Sequence, residues 1–182
     1  MNARVIDSKK QNTLRITCAA VCLALALVLP FLTGQIKQIG NMLCPMHLPV
    51  ILCGFICGWP WGAVIGFVAP LLRSALFGMP VLFPSAAAMS VELAVYGFLA
   101  GYLYKVLPKK IPFTYLALLV SMFGGRIVWC AAQFIFARLQ NGAFVVSAMV
   151  AGAFTNAVPG IILQLVLIPA IIIALRKAKL IS

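Results

Sequence analysis

Long apolar runs alternate with short breaks that are basic, polar or rich in proline and glycine. Residues 1–15 are polar and carry Arg4, Lys9, Lys10 and Arg15, and the run that follows, Ile16–Leu32, contains no charge. A membrane span needs about 20 apolar residues to cross a hydrocarbon core of roughly 30 Å. On that measure the pattern predicts six spans, at about 16–33, 43–57, 62–77, 84–104, 113–137 and 143–175, with polar tails at 1–15 and 176–182. The breaks are a polar loop over Thr33–Asn41, the sequence GWPWG at 58–62, GMPVLFP at 78–84, KVLPKKIP at 105–112, and Arg138–Gly142. Glycine and proline punctuate local structure, so GWPWG reads as a turn. The second run is short and carries Pro45 and Pro49. The last is interrupted by Pro159-Gly160, which predicts one kinked helix or a re-entrant piece followed by a helix.

Composition turns this pattern into a class. Hydrophobic residues make up 64% of the 182 positions and charged residues 9%, against about 25% charged in a soluble domain. A soluble fold of this size cannot bury so much apolar surface. The chain therefore reads as an all-α integral membrane protein, one six-transmembrane-helix bundle over 1–182 with no soluble catalytic domain. An even number of spans puts both termini on one side. Arg4, Lys9, Lys10 and Arg15, then Lys105, Lys109 and Lys110, then Arg176, Lys177 and Lys179 all fall on that side. Lys37 and Arg138 fall in loops on the other. This bias makes the N- and C-termini cytoplasmic, and it explains a net charge of +12 without nucleic acid. The six cysteines lie mostly in apolar runs and read as small hydrophobes, not as a disulfide framework. No cleavable signal peptide is expected.

Charges inside spans are costly and need a partner or a wet cavity. They are Arg73, Glu92 and Arg126. Glu92 either pairs with one of the arginines to hold the bundle together or accepts hydrogen bonds from a polar ligand, and both can hold at once. Tyr96 follows Glu92 by four residues and shares its helix face. Arg126, Trp129 and Gln133 share another, and Asn156 and Gln164 lie on the last segment. A charge, a few amides and aromatic rings suit a small, flat, polar molecule, although amides also bond helix to helix in membranes. Cys44-x2-His47 with Cys53-x3-Cys57 looks like a metal set, but the spacing is wrong for a zinc knuckle and prolines disturb the helix. No metal or cofactor is expected, and His47 reads as a polar group near the outer mouth. Signatures of nucleophilic, zinc and nucleotide chemistry (GxSxG, HExxH, GxxxxGK[ST]) do not occur, so the chain does not read as an enzyme. Ala20 and Ala24, four apart on the first span, make a small face that permits close helix approach.

The stretch LRITCAAVCLALALVLP, with its AxxxA face, resembles the first helix of the substrate-binding (S) components of energy-coupling factor (ECF) vitamin transporters. The segment MHLPVILCGFICGWPWGAVIGFVAPLLRSALFGMP over Met46–Pro80 resembles that family's LP-rich second helix, Gly-turn and Gly-rich third helix. The resemblance covers nearly the whole chain. It implies a transmembrane coupling subunit and two ATPase subunits as partners, with Ala20 and Ala24 as the coupling-subunit interface. It also implies a pocket built from the later helices, with Glu92, Tyr96, Arg126, Trp129, Gln133 and Asn156 as candidates. The loops after the first and third helices would gate it, through Gln35 and Lys37 and through Met79 and Phe83. The family's nickel and cobalt branch has a His after the initiator Met; Asn2 stands there, which argues against a metal substrate.

The expected function is capture of a water-soluble vitamin or precursor from outside and delivery by reorientation against an ATP-driven module in the cell membrane. A pyridine or pyrimidine compound such as pyridoxine or hydroxymethylpyrimidine suits one Glu with Tyr and Trp nearby, and unpaired arginines would suit pantothenate. The alternatives are a small lipid-modifying membrane enzyme and a ligand-free assembly subunit.

Overall fold

The computed structural model describes residues 2–32, 44–139 and 158–178, with side chains described from residue 11 onward except at 137 and 139. Its elements are α1 (Asn2–Leu32), α2 (His47–Cys57), α3 (Trp59–Phe77), a wide turn of π type (Leu82–Ala86), α4 (Ala87–Val106), α5 (Ile111–Leu139) and α6 (Val158–Lys177). No strand occurs among the described residues. Five stretches are long and apolar enough to cross a membrane: Gln11–Leu32, Trp59–Phe77, Leu82–Val106, Ile111–Phe136 and Val158–Lys177. The expected second span is the exception. α2 has 11 residues and so a length of about 16 Å, too short to cross alone.

Proline placement explains several departures from the expected boundaries. Pro60 and Pro112 are each the second residue of a helix, where a missing N–H leaves no bond unmade. GWPWG is therefore a sharp break at one residue, Gly58 with φ +96°, and α3 begins at once with Trp59. Helix α6 is described from Val158 onward; the first part of the expected last span, including Asn156, lies outside the described residues. Gly78, left-handed at φ +67°, ends α3 by donating to the Ser74 carbonyl. Two further limits move outward. Helix α1 starts at Asn2, inside the stretch expected as a polar tail, and α5 continues through Arg138, where a turn was expected.

Helix α4 is the hub, packed against α2, α3 and α5. Without a hydrophobic drive between helices in lipid, close approach of small residues supplies the packing. Gly62 of α3 and Gly97 of α4 meet backbone to backbone, and a Cβ on either would run into the other's peptide. Gly101 meets the start of α3 at Trp59 in the same way. Helix α1 packs on α2 and α3 through Ala19, Cys22 and Ala26, all buried. Helix α6 rests on α2 and α5.

The exposed surface fits a lipid environment. Val64, Phe67, Leu116, Phe123, Ile127, Ile162 and Val166 all point outward from the bundle.

Candidate functional site

Three short segments bring polar side chains together inside the bundle. The first is the turn that starts α2. Cys44 has a left-handed backbone, φ +47°, which is uncommon for a residue with a side chain. Its carbonyl accepts from the His47 N–H at 3.0 Å, which sets His47 as the first residue of α2. The second is α4, where Glu92 sits roughly 8 Å along the helix from Ala87. Tyr96 follows one turn later on the same face. The third is α5. Gly125 has no Cβ to strike the Tyr96 ring, which lies against it, so α5 comes close enough for its neighbour Arg126 to reach across.

Glu92 is the centre. Its carboxylate oxygen Oε1 pairs with Arg126 Nη1 at 3.0 Å and lies 3.5 Å from His47 Nε2. Arg126 Nη2 donates to Cys44 Sγ at 3.4 Å. The rings of His47 and Tyr96 meet edge to face with centroids 5.1 Å apart. Glu92, Tyr96, His47 and Arg126 are all buried, at 1, 2, 3 and 7% exposure. One formal positive and one formal negative charge thus lie together out of water, and each neutralises much of the other's desolvation cost.

The cluster is not saturated. His47 Nδ1 and Arg126 Nε find no hydrogen-bond partner among the described residues, nor does Gln164 Oε1 of α6. Buried polar atoms are nearly always bonded, so this concentration of unused capacity makes the cluster the candidate site. A cavity of about 140 Å³ adjoins it, lined by Tyr96, Leu119, Met122, Phe123, Arg126 and Ile161. Gln164 lies three residues beyond Ile161, on the same side of α6.

The structure brings together Glu92, Tyr96 and Arg126 from the residues expected at the site. Trp129 and Gln133 follow Arg126 by one and two turns of α5, half-buried. Met79 is half-buried, and Phe83 is exposed with its ring 4.9 Å from that of Phe136 on α5. Gln35, Lys37 and Asn156 lie outside the described residues. Ala20 and Ala24 are exposed on the outside of α1. His47, expected near the outer mouth, and Cys44, whose spacing from it only resembled a metal set, are contacts of the ion pair. The other half of that set, Cys53 and Cys57, faces α1 instead.

Arg73 has a separate fate. Its Nη1 donates to the Leu27 carbonyl in the last turns of α1, where Pro30 breaks the regular bonding. Its guanidinium lies 4.9 Å from the centroid of Phe31 and 5.4 Å from that of Phe77. At the far end of the bundle, Arg176 of α6 donates to the Tyr104 hydroxyl at 2.8 Å and the Lys109 carbonyl at 2.8 Å. This ties the end of α6 to the basic 105–112 loop.

The model of one family, described as the ECF transporter substrate-specific component, matches residues 14–172. No curated protein and no solved structure gave a match. That family is one of transporter components and not of enzymes, and its membrane setting agrees with five helices able to span and a lipid-facing surface. The match takes in the apolar core of α1, the ion-pair cluster on α2, α4 and α5, and most of α6, and on that extent the chain, a multi-pass protein of the cell membrane, belongs to the ECF transporter substrate-specific component family.

Proposed function

We propose that this chain captures a neutral or weakly basic heterocyclic vitamin, or its precursor, from outside the cell and delivers it by reorienting against an ATP-driven coupling module. The observation that carries the substrate class is the Glu92–Arg126 pair. A carboxylate ligand such as pantothenate needs a free guanidinium, and the charge of Arg126 is already balanced by Glu92. A ring bearing hydroxyls and a ring nitrogen, of the pyridoxine or hydroxymethylpyrimidine type, matches the capacity left over: Arg126 Nε as donor, Gln164 Oε1 as acceptor, and the aromatic wall of Tyr96. Trp129, Gln133 and Asn156 complete the pocket in this reading. Gln35 and Lys37, with Met79 and Phe83, close it.

The bundle has six spans in this account, with both termini cytoplasmic. The contacts of Arg176 support part of it, since they hold the C-terminal end of α6 beside the basic 105–112 loop. The coupling subunit, carried with two ATPases, docks on the small face of α1. Support comes from the division of small residues on that helix: Ala19, Cys22 and Ala26 are used internally, and Ala20 and Ala24 are left outside.

Two experiments test these points. Equilibrium binding of labelled pyridoxine, hydroxymethylpyrimidine and pantothenate to the purified chain should show one of the heterocycles bound and pantothenate not. Tight binding of pantothenate alone would overturn the substrate class. Replacing Ala20 and Ala24 by Leu should abolish uptake into cells and leave binding to the purified chain intact. Undiminished uptake would place the docking face elsewhere.

A further inference from the structure

A second polar cluster forms where α4 and α6 end and α5 begins, away from Glu92. Tyr104 is in the last turn of α4, Lys109 in the short connection that follows, and Thr114 in the first turn of α5. Arg176 comes from the last turn of α6. Its guanidinium is fixed from three sides. Nε and Nη2 donate to the Tyr104 hydroxyl at 3.0 and 2.8 Å, Nη1 donates to the Lys109 carbonyl at 2.8 Å, and Nη2 reaches Thr114 Oγ1 at 3.5 Å. Tyr104 and Thr114 are buried and Arg176 is half-buried, so the bundle itself holds the acceptors.

All these acceptors are uncharged. They set the direction of the guanidinium and leave its charge in place. Among the described residues no carboxylate pairs with it. The chain has two acidic residues, Asp7 and Glu92. Glu92 is paired with Arg126, about 18 Å along α4 from Tyr104, and the side chain of Asp7 lies outside the described residues. Further positive charge gathers at the same place. Lys109 Nζ lies 5.8 Å from the centroid of the Tyr104 ring, and the Arg176 guanidinium carbon 5.2 Å from it. Lys105, Lys110 and Lys177 are exposed beside them in the chain. Like charges held close together repel, and an anion between them removes that cost. An oriented guanidinium with ammonium groups nearby is an arrangement suited to phosphate.

Position selects the source of the phosphate. Three helices able to cross a membrane begin or end here: Leu82–Val106, Ile111–Phe136 and Val158–Lys177. The cluster therefore lies at the edge of the hydrocarbon, at the level of lipid headgroups. Val106 and Ile111, 64 and 52% exposed, flank the basic connection and offer apolar surface to acyl chains. A soluble phosphate has no use for that surface.

We propose that Arg176 and the lysines around it bind the headgroup phosphate of an anionic phospholipid, with Tyr104 and Thr114 as positioning residues for the guanidinium. A zwitterionic headgroup carries its own cation, which the patch repels, whereas an anionic one brings net negative charge. The bound lipid fastens the end of α6 to the connection between α4 and α5.

The test is native mass spectrometry of the full chain, purified in detergent, stripped of lipid, and titrated with phosphatidylglycerol or with phosphatidylcholine of the same acyl chains. The expected result is one phosphatidylglycerol per chain at concentrations where phosphatidylcholine does not bind. Arg176→Gln should weaken that binding about fivefold or more, the worth of one cation near an anionic lipid surface. Tyr104→Phe should also weaken it, since the ring stays and the guanidinium loses its hydroxyl acceptor. Arg138→Gln removes the same charge at the other end of α5 and should change nothing. Equal binding of the two lipids by the unsubstituted chain would overturn the proposal. So would an equal loss in Arg138→Gln and Arg176→Gln, which would reduce the effect to net charge. Competition by glycerol 3-phosphate at the concentration of the lipid would assign the site to a soluble phosphate instead. Absence of a lipid preference, with loss of a purified coupling module in Arg176→Gln, would assign it to a protein partner. The first comparison uses the unsubstituted chain, so a variant that fails to fold does not blunt it. It needs no vitamin, so it stands or falls apart from the proposed function.

Discussion

Two arginines are buried among the described residues, and their surroundings differ. Arg73 is held between α1 and α3 by a backbone carbonyl and two phenyl rings. Its surroundings join helices and contain no acid among the described residues. Arg126 pairs with a carboxylate that an imidazole also approaches, donates to a thiol, keeps its Nε unbonded among the described residues, and borders a cavity. Both are charges out of water, and an intramembrane charge by itself invites a functional reading. The proposed division of a fastening from a site rests on unused hydrogen-bonding capacity in a cluster that adjoins a cavity.

The comparison can be broken most sharply at Arg126. Arg126→Met leaves Glu92 buried beside a histidine that it does not hydrogen-bond, and breaking a buried pair from one side costs about 3–5 kcal/mol. Ligand binding should fall below detection in equilibrium titration, and the unfolding temperature should drop. Arg73→Met should behave differently. Losing a hydrogen bond to a buried carbonyl and two cation–π contacts costs about 1–3 kcal/mol of stability, read in the same unfolding experiment. Its ligand affinity should stay near that of the parent chain. If Arg73→Met abolished binding while leaving the protein folded, the two arginines would not divide as described.

His47→Phe sharpens the site itself. It keeps a ring against Tyr96 and removes both nitrogens. A loss of about 1.4 kcal/mol, or tenfold in affinity, is expected from one hydrogen bond to ligand. The smallest effect on stability belongs to the double substitution Glu92→Leu with Arg126→Met. Replacing a buried ion pair by apolar residues of similar size is often neutral or stabilising, so unfolding should return to within about 1 kcal/mol of the parent chain. Binding should remain absent. Recovery of stability without recovery of binding would assign the pair to recognition and not to holding the bundle together.

Parts of this site were legible in the sequence. Glu92 and Tyr96 are four apart, and helical periodicity alone puts them on one face. Glu92 had to find a partner or a ligand, and Arg126 was one of two cations available to it. His47 was not legible as a member of the cluster, because it belongs to the first turn of a short helix 45 residues upstream. Only the left-handed turn at Cys44 and the contact of α2 with α4 carry it to the carboxylate. Helix boundaries went astray for a local reason. GWPWG contains the strongest breaking residues, and a proline that would break a helix interior instead starts one at its second position. The close approach of Gly62 to Gly97 was not legible either, because the bundle sets which helices these glycines join.

The central claim is that the Glu92–Arg126 cluster holds a water-soluble heterocycle. The most direct measurement is to purify the chain from cells grown with a mixed vitamin supplement, denature it, and identify what is released by mass spectrometry. The account predicts a stoichiometric heterocyclic vitamin or precursor from the parent chain and none from the Glu92→Leu, Arg126→Met double variant. Release of the same compound in equal amount from that variant, or of nothing from the parent chain, would contradict it.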